Sequence, residues 1–287
     1  MSGDCELAQG ESNMATVIPP YSDKQTRLRI GAVSYLNSKP LVEGLAEADC
    51  AREFRLELPS RLADELSEGV LDVALIPSVE YFRDADYEIV SDACVAAHGP
   101  VMSVKLYTRK PWGKICTVAM DVGSRTSAAL SRAMLKYRFG VEPQIVPFPL
   151  NTPTEQIEAD AVLMIGDRAM FEPSEQFQDV WDLGQEWLNW AGLPFVFAMW
   201  VTRREVEAPE LGRLLSHARD CGVEQIEQIA ATEGRRLGLD QDCAVRYLRD
   251  HLNFQLGSAE RHGLKVFADL AVETGLISND CYLRFRD

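Results

Sequence analysis

The chain has 287 residues, 46% of them hydrophobic and 25% charged, with 29 Lys and Arg against 44 Asp and Glu and a formal net charge of −15. Such a composition belongs to a soluble globular protein with two modest cores or one large one. So acidic a surface argues against nucleic acid or anionic membrane as the main partner, yet permits a small anion in a locally positive cleft. In chain order, residues 1–26 are polar, contain Pro19-Pro20 and lack the apolar core of an export signal, so a loose tail is expected. Leu28 to Val33 reads as a strand, followed by the turn Ser34 to Ser38 and a helix beginning near Pro40. Glu53 to Leu58 alternates as a second strand, and a helix capped by Ser60 and stopped at Gly69 follows. Val70 to Ile76 is a buried parallel strand by its apolar run, and Pro77-Ser78 opens a short helix.

The same alternation restarts at Ile115 to Met120, with a tight loop over Asp121 to Ser124 and a helix from Thr126 to Phe139 ended by Gly140. Asp160 to Ile165 is a further strand, and Gly166-Asp167 turns it into a helix near Arg168. Ser103 to Arg109 and Phe195 to Thr202 read as strands at the points where one half gives way to the other, and Glu205 to Ile277 reads as nearly all helix, with Leu248, Leu252 and Leu256 at helical spacing. The pattern predicts two α/β lobes with parallel sheets joined by a two-strand hinge: residues 27–104 plus 200–287 as one lobe and 105–199 as the other. Ligands of such folds sit between the lobes at the carboxyl ends of the strands.

Three strand-to-helix loops carry the polar groups for such a ligand. Ser34-Tyr35-Leu36-Asn37-Ser38-Lys39 offers neutral donors and acceptors and one cation, although capping explains Ser38 and Asn37 equally. Gly123-Ser124-Arg125-Thr126-Ser127 joins hydroxyls, a guanidinium and helix N–H groups in a cradle suited to carboxylate or phosphate, without the spacing of a Walker loop. Met164-Ile165-Gly166-Asp167 permits close backbone approach, with Asp167 in the position of a helix cap. Seven cysteines form no C-x-x-C pair and four histidines no ligand spacing, which points to reduced thiols in a cytoplasm and to neither metal nor other cofactor. From these residues alone the reading ends at a bilobal binder of a small anion.

Arg29-Ile30-Gly31-Ala32-Val33-Ser34-Tyr35-Leu36-Asn37-Ser38-Lys39-Pro40-Leu41 resembles the opening signature of the MqnA-type menaquinone biosynthesis family, the chorismate dehydratases of the futalosine route. Leu71 to Ser78, Gly99-Pro100-Val101-Met102-Ser103, Ser124 to Ser127, Leu163 to Asp167, Asp182-Leu183-Gly184 with Trp187, and Gly192 to Ala198 extend the resemblance over about Arg27 to Ile277, with Phe254 where the family often has tyrosine. It implies a periplasmic-binding-protein-like type II fold and conversion of chorismate to 3-[(1-carboxyvinyl)oxy]benzoate and water. It implies catalytic positions at Asn37 and Ser103 and a carboxylate-binding loop at Ser124, Arg125 and Thr126. Ser34, Ser38, Lys39, Ser78, Ser127, Ile165, Gly166 and Asp167 complete the expected substrate site. The implied partner is chorismate; no nucleic acid or membrane is expected, and no pattern sets an oligomeric state. An exported solute-binding protein, the sister enzyme making 1,4-dihydroxy-6-naphthoate and a ligand-sensing regulatory domain share the fold and remain as alternatives.

Overall fold

Hydrogen bonding divides the strands into two sheets, seen in a computed structural model that describes residues 27–48, 51–207, 210–278 and 282–286. The expected tail, 1–26, lies outside the described residues. The first lobe begins with β1 (Leu28–Val33), a 3-10 helix (Leu36–Leu41), β2 (Ala51–Glu57), α1 (Pro59–Ser67), β3 (Val73–Pro77), α2 (Ser78–Tyr81) and β4 (Tyr87–Ala97). The second holds β5 (Val104–Thr108), β6 (Thr117–Asp121), α3 (Thr126–Phe139), β7 (Gln144–Phe148), β8 (Ala161–Ile165), a 3-10 helix (Gly166–Met170), β9 (Asp179–Asp182) and α4 (Leu183–Ala191). The chain then returns through β10 (Phe195–Arg203), α5 (Leu211–Glu224), α6 (Ile226–Ile229), α7 (Arg235–Leu237), α8 (Gln241–Arg246), β11 (Asn253–Gln255) and α9 (Ser258–Glu273).

The sheets run β11-β4-β10-β3-β1-β2 and β7-β6-β8-β5-β9. One side of each is parallel, β2-β1-β3 and β7-β6-β8. All five residues of β3 and of β8 are buried, as unbroken apolar runs covered on both faces must be. Neither sheet is wholly parallel, however. β10 runs antiparallel to β3 and β4, and β5 antiparallel to β8 and β9. The reason is where the chain changes sheets. It leaves the first sheet after Ala97 and returns at Phe195, and each new strand starts beside the carboxyl end of a parallel neighbour: Val104 opposite Ile165, Ala198 opposite Pro77. A strand starting there can only run back. Each strand expected at the hinge therefore lies within one sheet, with short connections doing the crossing, and β10 spans the expected boundary at 199/200.

Local chemistry explains the other departures. Pro59 occupies the first turn of α1 with its φ already set, so the cap position falls on Leu58 without any side-chain cap, and Ser60 lies inside the helix. The helix expected to start near Pro40 is a 3-10 turn that already contains it. Gly140 ends α3 in the left-handed conformation, φ 67°, accepting the role of its C-cap. In the C-terminal stretch, β11 interrupts the expected helix and pairs with β4; Leu252 and Leu256 flank it and are both buried, so a spacing of four suits the strand as well as a helix.

The first crossing is fixed by one carboxylate. Asp182 accepts from the N–H groups of Val101 (2.9 Å) and Met102 (2.7 Å) and from Gly184 (3.0 Å) and Gln185 (3.2 Å) at the start of α4. Met102 sits at φ 63°, the one non-glycine with positive φ among the described residues, a conformation that costs about 1–3 kcal/mol and persists only where its surroundings impose it. Asp182→Ala is expected to destabilise the protein by about 2–3 kcal/mol, since it removes a helix cap and leaves buried N–H groups unpaired. Urea unfolding of the variant beside the parent measures this.

Candidate functional site

A cleft with about 50 Å³ of free volume opens between the carboxyl ends of the two sheets. From the first lobe it receives Tyr35 and Asn37 of the loop after β1, with Val33, Pro59, Pro77, Phe197 and Ala198 as apolar wall. Ser103 enters from the first crossing, and Gly123 to Ser127, Ile165 and Gly166 come from the second lobe. Of the expected site residues, the structure thus brings together Asn37, Ser103, Ser124, Arg125, Thr126, Ser127, Ile165 and Gly166.

The remaining expected residues support this wall and do not line it. Ser38 is buried, its hydroxyl donating to the carbonyls of Val33 and Tyr35, which fixes the 3-10 turn carrying Asn37. Ser34 holds the turn through its backbone N–H on Glu57 (3.0 Å). Lys39 faces Glu233 at 3.6 Å. Ser78 donates to the Val196 carbonyl (2.7 Å) and lies 3.4 Å from the Thr126 hydroxyl. Asp167 accepts from the Leu36 N–H at 2.9 Å, reaching from the second lobe to the first; burial raises its pKa and that hydrogen bond opposes the rise.

Arg125 belongs to the second lobe but pairs with the first. Its guanidinium meets both oxygens of Asp64 on α1 (2.7 and 2.8 Å) and Glu80 on α2 (3.2 Å). Beside it Thr126 accepts from the Val79 N–H at 3.2 Å. Opposite, Gly166 adopts φ +66°, and a Cβ there would lie 2.7 Å from the Tyr35 ring, so only glycine lets the lobes approach this closely. The same loops therefore line the cleft and shut it. Because Asp64 is half exposed, its pair with Arg125 is of the kind that contributes at most about 1 kcal/mol. Closure is biased, not locked.

Several polar atoms in this wall lack partners. Tyr35 Oη, Asn37 Oδ1 and Ser124 Oγ are buried without a hydrogen bond. Burial, with the negative charges of Asp121 and Asp167 behind it, pushes the Tyr35 phenol well above the ordinary tyrosine range, so it stays a neutral donor. α3 begins at the cleft with no side-chain cap on its first turn, which leaves the N–H groups and the positive end of its dipole available to an anion. Arg125 is the one charged side chain among the described residues lining the cleft. Two groups were missed by sequence reading. Tyr35 lay in view within its motif; Tyr247, fully buried and donating to Ser103 Oγ at 2.7 Å, sits in a stretch whose apolar spacing marks only core. Among the described residues no three His, Cys, Asp or Glu side chains converge to hold a metal ion, and no helix is long and apolar enough to cross a membrane.

Comparison with known proteins bears on this cleft. A sequence model of the family described as menaquinone biosynthesis matches residues 28–273. The chorismate dehydratase of Thermus thermophilus is 31% identical over 261 residues, which cover 84% of this chain and 93% of that relative. Among solved structures, a protein from Archaeoglobus fulgidus aligns with TM-score 0.69 at 16% identity, covering 87% of this chain and 98% of that one. The periplasmic aliphatic sulphonate binding protein SsuA of Escherichia coli aligns with TM-score 0.57 at 17% identity, covering 91% and 96%. The fold is that of the periplasmic binding proteins.

If Arg125 and Gly166 govern closure, Arg125→Met and Gly166→Ala should each enlarge the radius of gyration of the free protein in small-angle X-ray scattering. Lys265→Ala, which breaks an exposed pair with Asp269 on α9, should leave it unchanged.

Proposed function

The chain belongs to the menaquinone biosynthesis family, and from that premise we propose that it is a hydro-lyase that converts chorismate to 3-[(1-carboxyvinyl)oxy]benzoate and water, a step of the futalosine route. The observation that carries this reading is the ring of buried, unpartnered polar atoms, Tyr35 Oη, Asn37 Oδ1 and Ser124 Oγ, around one apolar-walled cleft beside an uncapped helix start. Each such atom costs about 1–3 kcal/mol unless something in the cleft meets it. Chorismate supplies a flat ring for the apolar wall, two carboxylates for N–H groups and hydroxyls, and a ring hydroxyl and ether for the remainder.

In this reading one carboxylate rests on the first turn of α3, where the Ser124, Thr126 and Ser127 hydroxyls and the helix N–H groups converge. The carboxylate-binding role expected of Arg125 passes to that turn, and Arg125 secures the lobes through Asp64 and Glu80. The second carboxylate, on the enolpyruvyl arm, folds over the ring and takes the proton from the carbon that bears the ether. The electron pair of that C–H bond forms the last ring double bond as the neighbouring C–O bond breaks. Proton and hydroxide together account for the water. Aromatisation drives the step, so the protein needs no strong base of its own. Asn37 and Ser103 hold the arm and the departing hydroxyl in line, an orientation worth ~7–11 kcal/mol in favourable cases, and closure of the lobes excludes water. The same reading includes a cytoplasmic location, which suits the unpaired Cys94, Cys116, Cys221 and Cys243.

Purified protein incubated with chorismate is expected to consume it and release the aromatic product in equal amount. Asn37→Ala and Ser103→Ala should each lower kcat by ~100-fold or more with the fold retained, as a misplaced reacting group commonly does. Near-normal turnover in either variant removes that residue from the mechanism. A thermal shift with chorismate but no product would mark a solute-binding protein instead.

A further inference from the structure

Tyr247 stands between the two residues assigned chemical work above. It opens a π turn, Tyr247–His251, at the end of α8. Such turns insert one residue per helical turn, re-aim the side chains around them and recur at functional sites. Here the turn places the phenol behind the cleft wall, fully buried, where it donates to Ser103 Oγ at 2.7 Å. Burial is the largest influence on the phenol and raises its pKa, while its hydrogen bonds with Ser103 and Asn37 work the other way. The group thus stays protonated and has the side chains of both Ser103 and Asn37 as partners.

The direction of these bonds matters more than their number. A phenol carries a single hydrogen, and Tyr247 uses it on Ser103 Oγ. Ser103 is then an acceptor toward Tyr247, and its own hydrogen is left for the cleft it lines. The phenol oxygen can only accept from Asn37, which turns the amide N–H groups inward. The Asn37 carbonyl oxygen Oδ1 is left buried in the cleft wall without a partner. The sequence of bonds runs Asn37 N–H to Tyr247 O–H to Ser103 O–H, and ends with an acceptor at one point of the cleft and a donor at another. Three separate segments meet in it: the loop after β1, the π turn of the returning chain and the first crossing.

Resting on the reading of the cleft as a chorismate site, we propose that Tyr247 is a positioning residue that fixes the hydrogen-bond polarity of the site, holding Ser103 as donor and Asn37 as acceptor. That polarity matches the substrate's own. The enolpyruvyl carboxylate only accepts and needs the Ser103 hydrogen; the ring hydroxyl has a hydrogen to give and meets Asn37 Oδ1, which orients the C–O bond that breaks. Without the phenol, the Ser103 hydroxyl and the Asn37 amide can each turn over and present the wrong end.

A double-mutant cycle on chorismate turnover tests this. Tyr247→Phe keeps the ring and the packing; it is expected to lower kcat by ~10–100-fold, with KM changed by less than about threefold because the first turn of α3 still binds the carboxylate. In the Ser103→Ala background, adding Tyr247→Phe should cost far less than it does in the parent, only the part that acts through Asn37, so that the two losses fall well short of multiplying. Losses that multiply, or a Tyr247→Phe kcat within about twofold of the parent, would overturn the proposal. Should Tyr247→Phe fail to fold, a difluorotyrosine at 247 keeps the hydroxyl and the fold but is more acidic; the alkaline fall of kcat should then begin at lower pH, and an unmoved profile also overturns it. If the parent binds chorismate without turning it over, the dehydratase reading fails separately, and the same cycle is read on chorismate affinity by calorimetry, where additive losses again count against Tyr247.

Discussion

The Asp182 carboxylate holds the point on which the cleft depends, the place where the chain leaves one sheet for the other. Four backbone N–H groups converge on it, two from the crossing and two from α4. Ser103 follows Met102 directly, so the left-handed backbone at Met102 sets where the Ser103 hydroxyl lies. The first turn of α4 presses on the crossing so closely that a Cβ on Gly184 would fall 2.3 Å from the Gly99 carbonyl. The same helix reaches the other crossing, where Trp187 donates from its indole to the Pro194 carbonyl at 3.1 Å. One short helix therefore braces both passages between lobes. Around it Trp187, Phe195, Phe197 and Phe267 pack edge to face, which makes this aromatic group core, with Phe197 alone among them reaching the cleft wall.

Closure and the lining of the cleft share their residues, and this would couple closure to any bound ligand. Thr126 and Arg125 lie in the turn that lines the cleft and also bridge to Val79, Asp64 and Glu80 of the other lobe. Tyr35 fills the space above Gly166, and Asp167 caps the turn that carries Asn37. None of these contacts is strong alone. An anion seated on the first turn of α3 would order that turn and through it the bridging bonds, so affinity for the closed form rises with the ligand present. This is a population shift whose size is limited by the ligand's preference for the closed state.

Much of the fold was legible because it is written locally. β3 and β8 announce themselves as apolar runs, and the stop of α3 at Gly140 follows from a single residue's backbone freedom. The loop Gly123 to Ser127 was readable as part of the cleft wall because strand, polar turn and helix are contiguous. What was not legible depends on distant partners. The antiparallel course of β5 and β10 follows from where the crossings lie, not from their composition. β11 is three residues long and is made a strand by β4 alone. The ion pairs of Arg125 could not be read because Asp64 and Glu80 lie 61 and 45 residues away in sequence. Tyr247 lies 144 residues from Ser103. Nothing in a helical apolar pattern tells a phenol that packs from one that directs a hydrogen bond.

If the cleft takes a dianion as proposed, the pairing of Arg125 with Asp64 and Glu80 also suits a chain of net charge −15. A free guanidinium would hold substrate and product alike, since dehydration leaves both carboxylates in place. Binding that is equal in ground state, transition state and product does not raise kcat and delays release. Dipoles fixed in the backbone act differently. The first turn of α3 offers partial charge that falls off within one turn, enough to orient a carboxylate without trapping it. On the proposed reading, the neutral groups Asn37 and Ser103 instead face the ring hydroxyl that the reaction removes and the arm whose carboxylate takes the proton. Discrimination would then fall on the hydroxyl that is lost, while the carboxylates that persist meet dipoles and hydroxyls and no free cation.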